Sequence, residues 1–361
     1  MRVTTRRLAV AVSLMTVIAT FHPAPSLAQS SKSAYEFNDS HFHLTNYIQE
    51  GISAKFFLDQ VMGKRVGRST LFGIPLQQQW SYRVDGDDAP AYYLDTDSPL
   101  YYYSFTDAAI AMQYRSLSKK DQARFDPMIT GFNPTDMYAA DHIRRVLQTF
   151  PGVFSGIGEF TIHKEFVSAK IAGDVASLTD PALDRILDFA GEAGLVVILH
   201  SDIDKPFPKA YTADYLADMK ALFKRHPETT IIWAHIGLGR IVQPIEDQAA
   251  AIESILRDPA FSHVSFDISW DEVAKYAVAN ETSIARVAAA LDAYPDRFLF
   301  GTDTVAPKTA EPYFKVFDMW APVWRRVTPE TREKVCKGNY ERIFDEGRRR
   351  VRAWEKANVK R

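Results

Sequence analysis

The stretch DPALDRILDFAGEAGLVVILH, residues 180–200, contains one complete helix and the strand that follows it. Asp180 before Pro181 is typical of a helix start, and Gly194 stands where such a helix would end. The apolar run that follows, from Leu195 to His200, has the composition of a buried strand. The stretch therefore predicts a helix that leads directly into a strand of a parallel sheet.

Similar units repeat along the chain. Short apolar runs that alternate with helical patterns predict eight strands, at residues 36–43, 68–75, 127–133, 153–159, 195–200, 229–235, 263–269 and 297–303. The residues that mark the last five strand ends, Glu159, His200, His235, Asp267 and Asp303, are 41, 35, 32 and 36 residues apart, against ~31 residues per unit in a (β/α)8 barrel of ~250 residues. We therefore predict an α/β fold, a (β/α)8 TIM barrel. An open doubly wound sheet is the alternative, and it is disfavoured because no Gly-x-Gly-x-x-Gly follows the first strand.

One segment interrupts this period, between the second and third strands. Residues 76–105 contain Gln77-Gln78-Gln79-Trp80, a patch of aspartates at 85–88 and tyrosines at 92, 93 and 101–103. We predict a long aromatic-rich insertion after strand 2, placed over the C-terminal face where such barrels build their active sites. It forms either a lid with contacts to substrate or a subdomain that packs on the barrel rim.

The N-terminus has the pattern of a signal peptide. Three arginines within the first seven residues precede an apolar run over 8–21, and Ser26-Leu27-Ala28 offers the small residues that a signal peptidase reads. We expect cleavage after Ala28, a single barrel domain over 29–361, and a periplasmic or secreted protein. A membrane anchor is the alternative, but the apolar run is shorter than the ~20 residues of a spanning helix. Thr5-Arg6-Arg7 is a partial twin-arginine signal, so the route is either Sec or Tat.

Charge and cysteine content narrow the range of partners. The chain has 43 Lys+Arg and 45 Asp+Glu, and removal of residues 1–28 takes away three arginines and no acid, which leaves a net charge of −5. Such a chain has no basic footprint for nucleic acid. With Cys336 as its one cysteine, it cannot form an internal disulfide. We expect a small-molecule substrate, no nucleic acid, and no membrane contact after signal cleavage, and homo-oligomerisation stays open.

Residues able to bind a metal fall at the predicted strand ends. His41 and His43 are two apart on a strand, so both side chains point to one side. His200 and His235 each end a buried strand pattern, and Asp303 ends the last strand. Each could instead be a polar cap, but the strand ends of a barrel converge at one rim. Nitrogen and carboxylate ligands of this kind suit zinc or a similar divalent ion.

These motifs resemble a known family. Asp-Ser-His41-Phe-His43, Trp-Ala-His235-Ile-Gly-Leu-Gly, Phe-Gly-Thr-Asp303 and the closing Lys337-Gly-Asn-Tyr-Glu-Arg-Ile-Phe344 look like the amidohydrolase superfamily. The closer resemblance is to its amidohydrolase-related branch, which includes aminocarboxymuconate-semialdehyde decarboxylase and many metal-dependent hydrolases. It covers nearly the whole chain after the leader. It implies a barrel enzyme with one or two divalent ions, of which we expect Zn²⁺.

The resemblance also assigns roles to residues. It implies that His41, His43, His200 and Asp303 bind the metal, and that Asp303 receives the proton of the metal-activated water. His235 either binds a second ion or stays free and polarises the substrate.

Four further residues have open roles. Glu159 on the fourth strand is the candidate bridge between two ions, and the alternative is that it bonds to a ligand histidine. His163 and Lys164 are interpreted as loop residues, although they could face the same pocket. Arg240 binds either an anionic substrate group or a surface carboxylate.

We therefore expect an exported metal-dependent hydrolase that cleaves an ester, lactone, amide or phosphoester bond of a small molecule. A metal-dependent, non-oxidative decarboxylase of a small carboxylic acid is the alternative, and export favours hydrolysis. A non-catalytic periplasmic barrel that binds a metal or ligand is a second alternative. Asp303 and His235 argue against it, because a metal buffer has no use for a proton shuttle.

Overall fold

Eight parallel strands form one sheet whose order follows the chain. They are β1 (Phe37–Asp39), β2 (Val66–Leu71), β3 (Phe125–Ile129), β4 (Gly156–Thr161), β5 (Val196–His200), β6 (Ile231–Trp233), β7 (Val264–Asp267) and β8 (Phe298–Leu299). The computed structural model describes residues 35–46, 50–74, 79–80, 94–95, 105–164, 176–206 and 211–359. The predicted leader lies outside these residues.

The sheet closes on itself beyond the ends of β1 and β8. The Ser40 amide donates to the Phe300 carbonyl at 3.1 Å, and the Asp303 amide donates to the His41 carbonyl at 2.8 Å. In addition, the short strand Phe42–His43 pairs in parallel with Thr304–Val305. The predicted (β/α)8 barrel is therefore confirmed.

Helices follow the strands around the outside of the barrel. They are Ala54–Phe56, Phe105–Ser116, Lys119–Gln122, Ala139–Thr149, Pro181–Ala193, Leu216–Arg225, Gln248–Leu256, Asp271–Ala277, Glu281–Ala293, Ala310–Met319, Ala321–Trp324, Pro329–Glu333 and Asn339–Asn358. Shorter or wider turns lie at Phe57–Met62, Ala234–Gly237, Pro259–Phe261 and Lys334–Gly338. Within the part of the chain that the structure describes, no helix has the length and apolar character needed to cross a membrane.

Alternation along the strands decides which side chains face the barrel interior. Val196 and Ile198 pack in an inner cluster, whereas Val197 and Leu199 pack in the larger cluster beneath the helices. His200 continues the inward-facing series, because side chains on a strand repeat every two residues. The helix Asn339–Asn358 contributes Tyr340 and two neighbours to the inner cluster.

Some predicted strand limits are wrong. β3 ends at Ile129, not at 133, because the amides of Thr130 and Gly131 turn to donate to the Asp107 carboxylate at 2.8 and 3.1 Å. β4 continues to Thr161, so Glu159 lies inside the strand and not at its end.

Most of the predicted insertion over 76–105 lies outside the described residues. Its backbone is described at Gln79–Trp80 and Leu94–Asp95, which pair in parallel, and at Phe105, where a helix begins.

Candidate metal centre

The six residues predicted for the metal site come together at the C-terminal rim of the barrel. Four histidines are almost fully buried, with exposed fractions of 0% to 3%: His41, His43, His200 and His235. Glu159 is 5% exposed, and the Asp303 side chain is the most exposed of the six, at 10%. They come from β1, β4, β5, β6 and β8 or from the residues that directly follow those strands.

The backbone around these residues is tightly constrained. His235 and Asp303 have φ values of 55° and 52°, in the left-handed region that non-glycine residues rarely adopt. The His235 amide is held by the Asp267 carboxylate at 2.9 Å. A Cβ at Gly301 would lie 2.7 Å from the Cβ of His41, so the Gly in Phe-Gly-Thr-Asp lets β8 approach β1.

One group of ligand atoms consists of His41, His43, Asp303 and one oxygen of Glu159. Asp303 Oδ1 lies 3.3 Å from His41 Nε2 and 3.0 Å from His43 Nε2. Glu159 Oε2 lies 3.6 and 3.4 Å from the same two nitrogens. Two atoms bound ~2.1 Å from one tetrahedral zinc ion are about 3.4 Å apart. These four atoms therefore have the spacing that a single ion requires.

The second group uses the other oxygen of Glu159. Glu159 Oε1 lies 3.3 Å from His235 Nε2 and 2.6 Å from His200 Nδ1. The first distance suits two ligands of one ion, and the second is that of a hydrogen bond. The carboxylate of Glu159 thus contacts both groups, one oxygen in each.

The outer nitrogens of three histidines are held by acceptors. His41 Nδ1 contacts Asp267 Oδ2 at 2.9 Å, and His200 Nε2 contacts Asp202 Oδ1 at 3.0 Å. An ionised carboxylate only accepts, so each imidazole donates outward and, when neutral, has its lone pair on the inner nitrogen. The inner His41 Nε2 is buried without a hydrogen-bond partner among the described residues. This donor set fits a divalent metal.

His235 is fixed in the same way through a hydroxyl. Ser269 Oγ donates to Asp267 Oδ1, so it accepts from His235 Nδ1, which lies 2.8 Å away. Asp267 therefore holds His41 directly and His235 through both its amide and Ser269. In the sequence, Asp267 was used only as a strand end, and its supporting role was missed. The available signal was that Asp267 ends its strand as His200 and His235 end theirs.

Charge around the site keeps its carboxylates ionised. Burial raises the pKa of Glu159, but the Lys164 ammonium and His200 outweigh it and hold that pKa well below the ordinary value. Burial likewise opposes ionisation of Asp303, yet His41, His235 and His43 lower its pKa. Burial lowers the pKa of His235. Anionic carboxylates and a neutral imidazole are the forms that bind metals.

The other three residues of uncertain role lie in different surroundings. His163 stacks on Tyr215, with ring centroids 3.8 Å apart, and belongs to neither ligand group. Lys164 lies in the loop after β4, as expected, and it also faces the site, with its Nζ 4.0 Å from Glu159 Oε1. Arg240 lies 5.5 Å from the ring centroid of Trp270.

A separate apolar cavity of about 430 Å³ lies between the outer helices Gln248–Leu256 and Glu281–Ala293. None of the six ligand residues lines it. The chemistry of the rim, and not the size of a cavity, therefore identifies the candidate site.

Comparison with solved structures shows the same fold at low sequence identity. Dihydroorotase from Campylobacter jejuni is 12% identical, with 86% of this chain and 83% of that chain covered and a TM-score of 0.50. 2,6-Dihydroxybenzoate decarboxylase from Rhizobium is 14% identical, with 86% and 99% covered and a TM-score of 0.50. A protein described as a probable 2-pyrone-4,6-dicarboxylic acid hydrolase from Acinetobacter baumannii is 11% identical, with 86% and 99% covered and a TM-score of 0.52.

Comparison with curated protein sequences gives no match. The family model for amidohydrolases, in contrast, matches residues 39–345. That range begins at the aspartate of the His-x-His motif and includes every ligand residue described above. Because the match spans most of the sequence, the chain belongs to the amidohydrolase family, whose members are metal-dependent enzymes.

Proposed function

We propose that this protein is a hydrolase of small molecules that uses a metal-activated water. The observation that carries the proposal is the position of Asp303. Its Oδ1 contacts both His41 and His43, its Oδ2 lies 4.0 Å from His235 Nε2, and it is the ligand side chain with the greatest exposure. A carboxylate so placed can touch both a bound ion and a reactant that enters from solvent.

The donor set suits Zn²⁺, and the division of Glu159 between two groups favours two ions. When bound, such an ion lowers the pKa of a coordinated water to about 7 and polarises a carbonyl or phosphoryl oxygen. Asp303 accepts the proton of the nucleophilic water and returns it to the leaving group. His235, where it is not a ligand, presents its Nε2 lone pair to the pocket and accepts a hydrogen bond from the nucleophilic water or from a substrate N–H or O–H group.

Substitution of Asp303 tests this role. With a panel of esters, lactones, amides and phosphoesters, the zinc-loaded enzyme should hydrolyse at least one class, and Asp303→Asn should abolish turnover. Loss of a group that only binds substrate would instead mainly raise KM. Retained kcat in a variant that still holds its metal would contradict the role of Asp303.

A decarboxylase is the second candidate, and the same donor set supports it. Hydrolysis incorporates one oxygen atom of water into the product, whereas decarboxylation releases carbon dioxide without doing so. Reaction in ¹⁸O-labelled water therefore separates the two. Release of carbon dioxide with unlabelled organic product would overturn hydrolysis, and failure of every substrate class with metal bound would favour a non-catalytic binding barrel.

We further propose that the protein is exported, with Gln29 as its mature N-terminus. The support is the signal-peptide pattern of residues 1–28. An exported hydrolase would meet its substrates outside the cytoplasm, which agrees with a reaction that needs only water as co-substrate.

A further inference from the structure

A cavity on the outer side of the barrel lies next to the backbone that follows His235. It has a volume of about 430 Å³, between the helices Gln248–Leu256 and Glu281–Ala293, and both Ile236 and Leu238 line it. Packed protein interiors contain few voids larger than a water molecule. Because an apolar cavity of ~150 Å³ already binds benzene, this one is large enough for a molecule of roughly 15 non-hydrogen atoms.

The lining of the cavity is mainly apolar and includes a buried donor that lacks an acceptor. Val273 and Leu291 are among its buried apolar residues, and the exposed Glu246 and Arg286 show that it opens to solvent. Trp320 also lines it, is 1% exposed, and its indole Nε1 has no hydrogen-bond partner among the residues that the structure describes. An indole N–H only donates. The group that satisfies it is therefore an acceptor, such as an oxygen of a molecule bound in the cavity.

We propose that the cavity binds an apolar small molecule with an acceptor oxygen, of the ketone, ester or lactone class, and that Trp320 Nε1 donates to that oxygen. None of the six metal-ligand residues lines the cavity, so this molecule is an effector and not the substrate. The inference concerns binding and metal affinity, and it holds or fails independently of the proposed reaction.

The cavity reaches the backbone that positions His235, a member of the second ligand group. His235 and Ile236 both have left-handed backbones, with φ values of 55° and 49°, and such conformations persist only where their surroundings hold them. Gln248 lines the cavity, and its Nε2 donates to the Ile236 carbonyl at 2.8 Å. A molecule in the cavity packs against Ile236 and Leu238 and adds contacts to this turn. It should therefore hold His235 more firmly and strengthen zinc binding.

Two naphthalenes of equal size test the site in the full zinc-loaded protein. 2-Acetylnaphthalene has a carbonyl where 2-isopropylnaphthalene has a methyl-bearing carbon. Displacement of the fluorescent probe N-phenyl-1-naphthylamine gives both affinities. Since one hydrogen bond favours the ketone, the ratio of the two affinities should fall about fivefold in Trp320→Phe, which keeps an aromatic ring but has no N–H.

A cavity-filling substitution tests the location. Ala290 lines the cavity and is partly buried, so Ala290→Phe should weaken the binding of both naphthalenes at least tenfold. The matched control is Ala285→Phe, because Ala285 is a partly buried alanine of the same helix that does not line the cavity. This variant should bind both naphthalenes as the wild type does. Where Ala290→Phe fails to fold, by circular dichroism, Ala277→Leu fills the same cavity.

Competition with a chelator tests the effect on the metal. Saturating 2-acetylnaphthalene should raise the zinc affinity of the wild type at least threefold and leave that of Ala290→Phe unchanged, and zinc should tighten binding of the ketone by the same factor. Equal binding by wild type and Ala290→Phe, or an unchanged ratio in Trp320→Phe, would overturn the site. Unchanged zinc affinity with the cavity occupied would overturn the effector role. Self-association that Ala290→Phe abolishes, without binding of either naphthalene, would place a second copy of the chain there and also overturn the proposal.

Discussion

Replacement of Glu159 by Gln should reduce the metal content from about two ions per chain to about one. The structure predicts which ion is lost. Without the carboxylate, the first group keeps three protein ligands, His41, His43 and Asp303, whereas the second keeps two, His200 and His235. Three protein ligands are the usual set of a catalytic zinc site, and two are too few to hold the ion firmly.

The size of the effect follows from the contacts of Glu159. Loss of a group that only supports a ligand typically weakens metal binding 10–100-fold, so loss of a direct ligand should cost the second ion at least about 100-fold, or 2.7 kcal/mol. Lys164 adds to this, because the Glu159 carboxylate no longer offsets the repulsion between the ion and the Lys164 ammonium, whose Nζ lies 4.0 Å from Glu159 Oε1. The first ion should lose less, since it keeps Asp303.

The assay is metal analysis by mass spectrometry after loading with excess Zn²⁺ and gel filtration. Loading with Mn²⁺ adds a second readout, since two ions that share a carboxylate show a spin-coupled resonance that a single ion lacks. Glu355→Gln is the matched control, because Glu355 is also buried, at 6% exposure, but bonds to the Gly152 amide and Arg352. Two ions in the Glu159→Gln protein, or one ion in the wild type, would refute the assignment of Glu159 as a bridge.

Three further predictions follow from other parts of the structure. Asp267→Asn should lower zinc affinity 10–100-fold in a competition titration with a chelator, because it weakens the bond to His41 Nδ1; unchanged affinity would remove Asp267 from the support of the site. Burial raises the pKa of Asp107 to about 7, so the folded state binds this proton more tightly than the unfolded one. Its contribution to stability is present below pH ~4 and is lost as pH rises to ~7. Between pH 5 and 8 the free energy of unfolding should therefore fall by about 2–3 kcal/mol more in wild type than in Asp107→Asn, by urea titration; parallel curves would contradict the buried acid. N-terminal sequencing of secreted protein should give Gln29, and a product that starts at Met1 would defeat the signal-peptide prediction.

One sequence pattern predicted both the strands of the barrel and the ligand residues at their ends. A buried parallel strand needs a continuous apolar run, and the residue that ends the run emerges at the rim. His200 after Leu195–Leu199 and His235 after Ile231–Ala234 are both of this kind, so one pattern located strand and ligand together. Glu159 was also found, but it lies where the pairing of β4 with β5 shifts register, between Ile157 and Phe160. No local pattern encodes that shift.

Long-range contacts explain what the sequence did not predict. Asp267 and His41 are 226 residues apart, and the contact of Lys164 with Glu159 depends on the path of the loop after β4. The early end of β3 has the same kind of cause. The Asp107 carboxylate, in the helix Phe105–Ser116, accepts from the amides of Thr130 and Gly131, which are then lost to strand pairing. Each of these features depends on an acceptor or cation that sequence periodicity cannot position.

The support of the site also implies that its two ligand groups are not independent. Asp267 binds His41 of the first group through Oδ2, and through Oδ1 it binds the amide of His235, a member of the second. A shift of either histidine on metal binding therefore moves a carboxylate that the other one shares. Asp39 makes a similar connection at the closure of the barrel, where it accepts from the His41 amide at 3.0 Å and from the Thr302 amide at 2.9 Å, next to Asp303. Since β1, β7 and β8 are linked by these two buried acids, the histidines of the two ligand groups are coupled through one framework of hydrogen bonds.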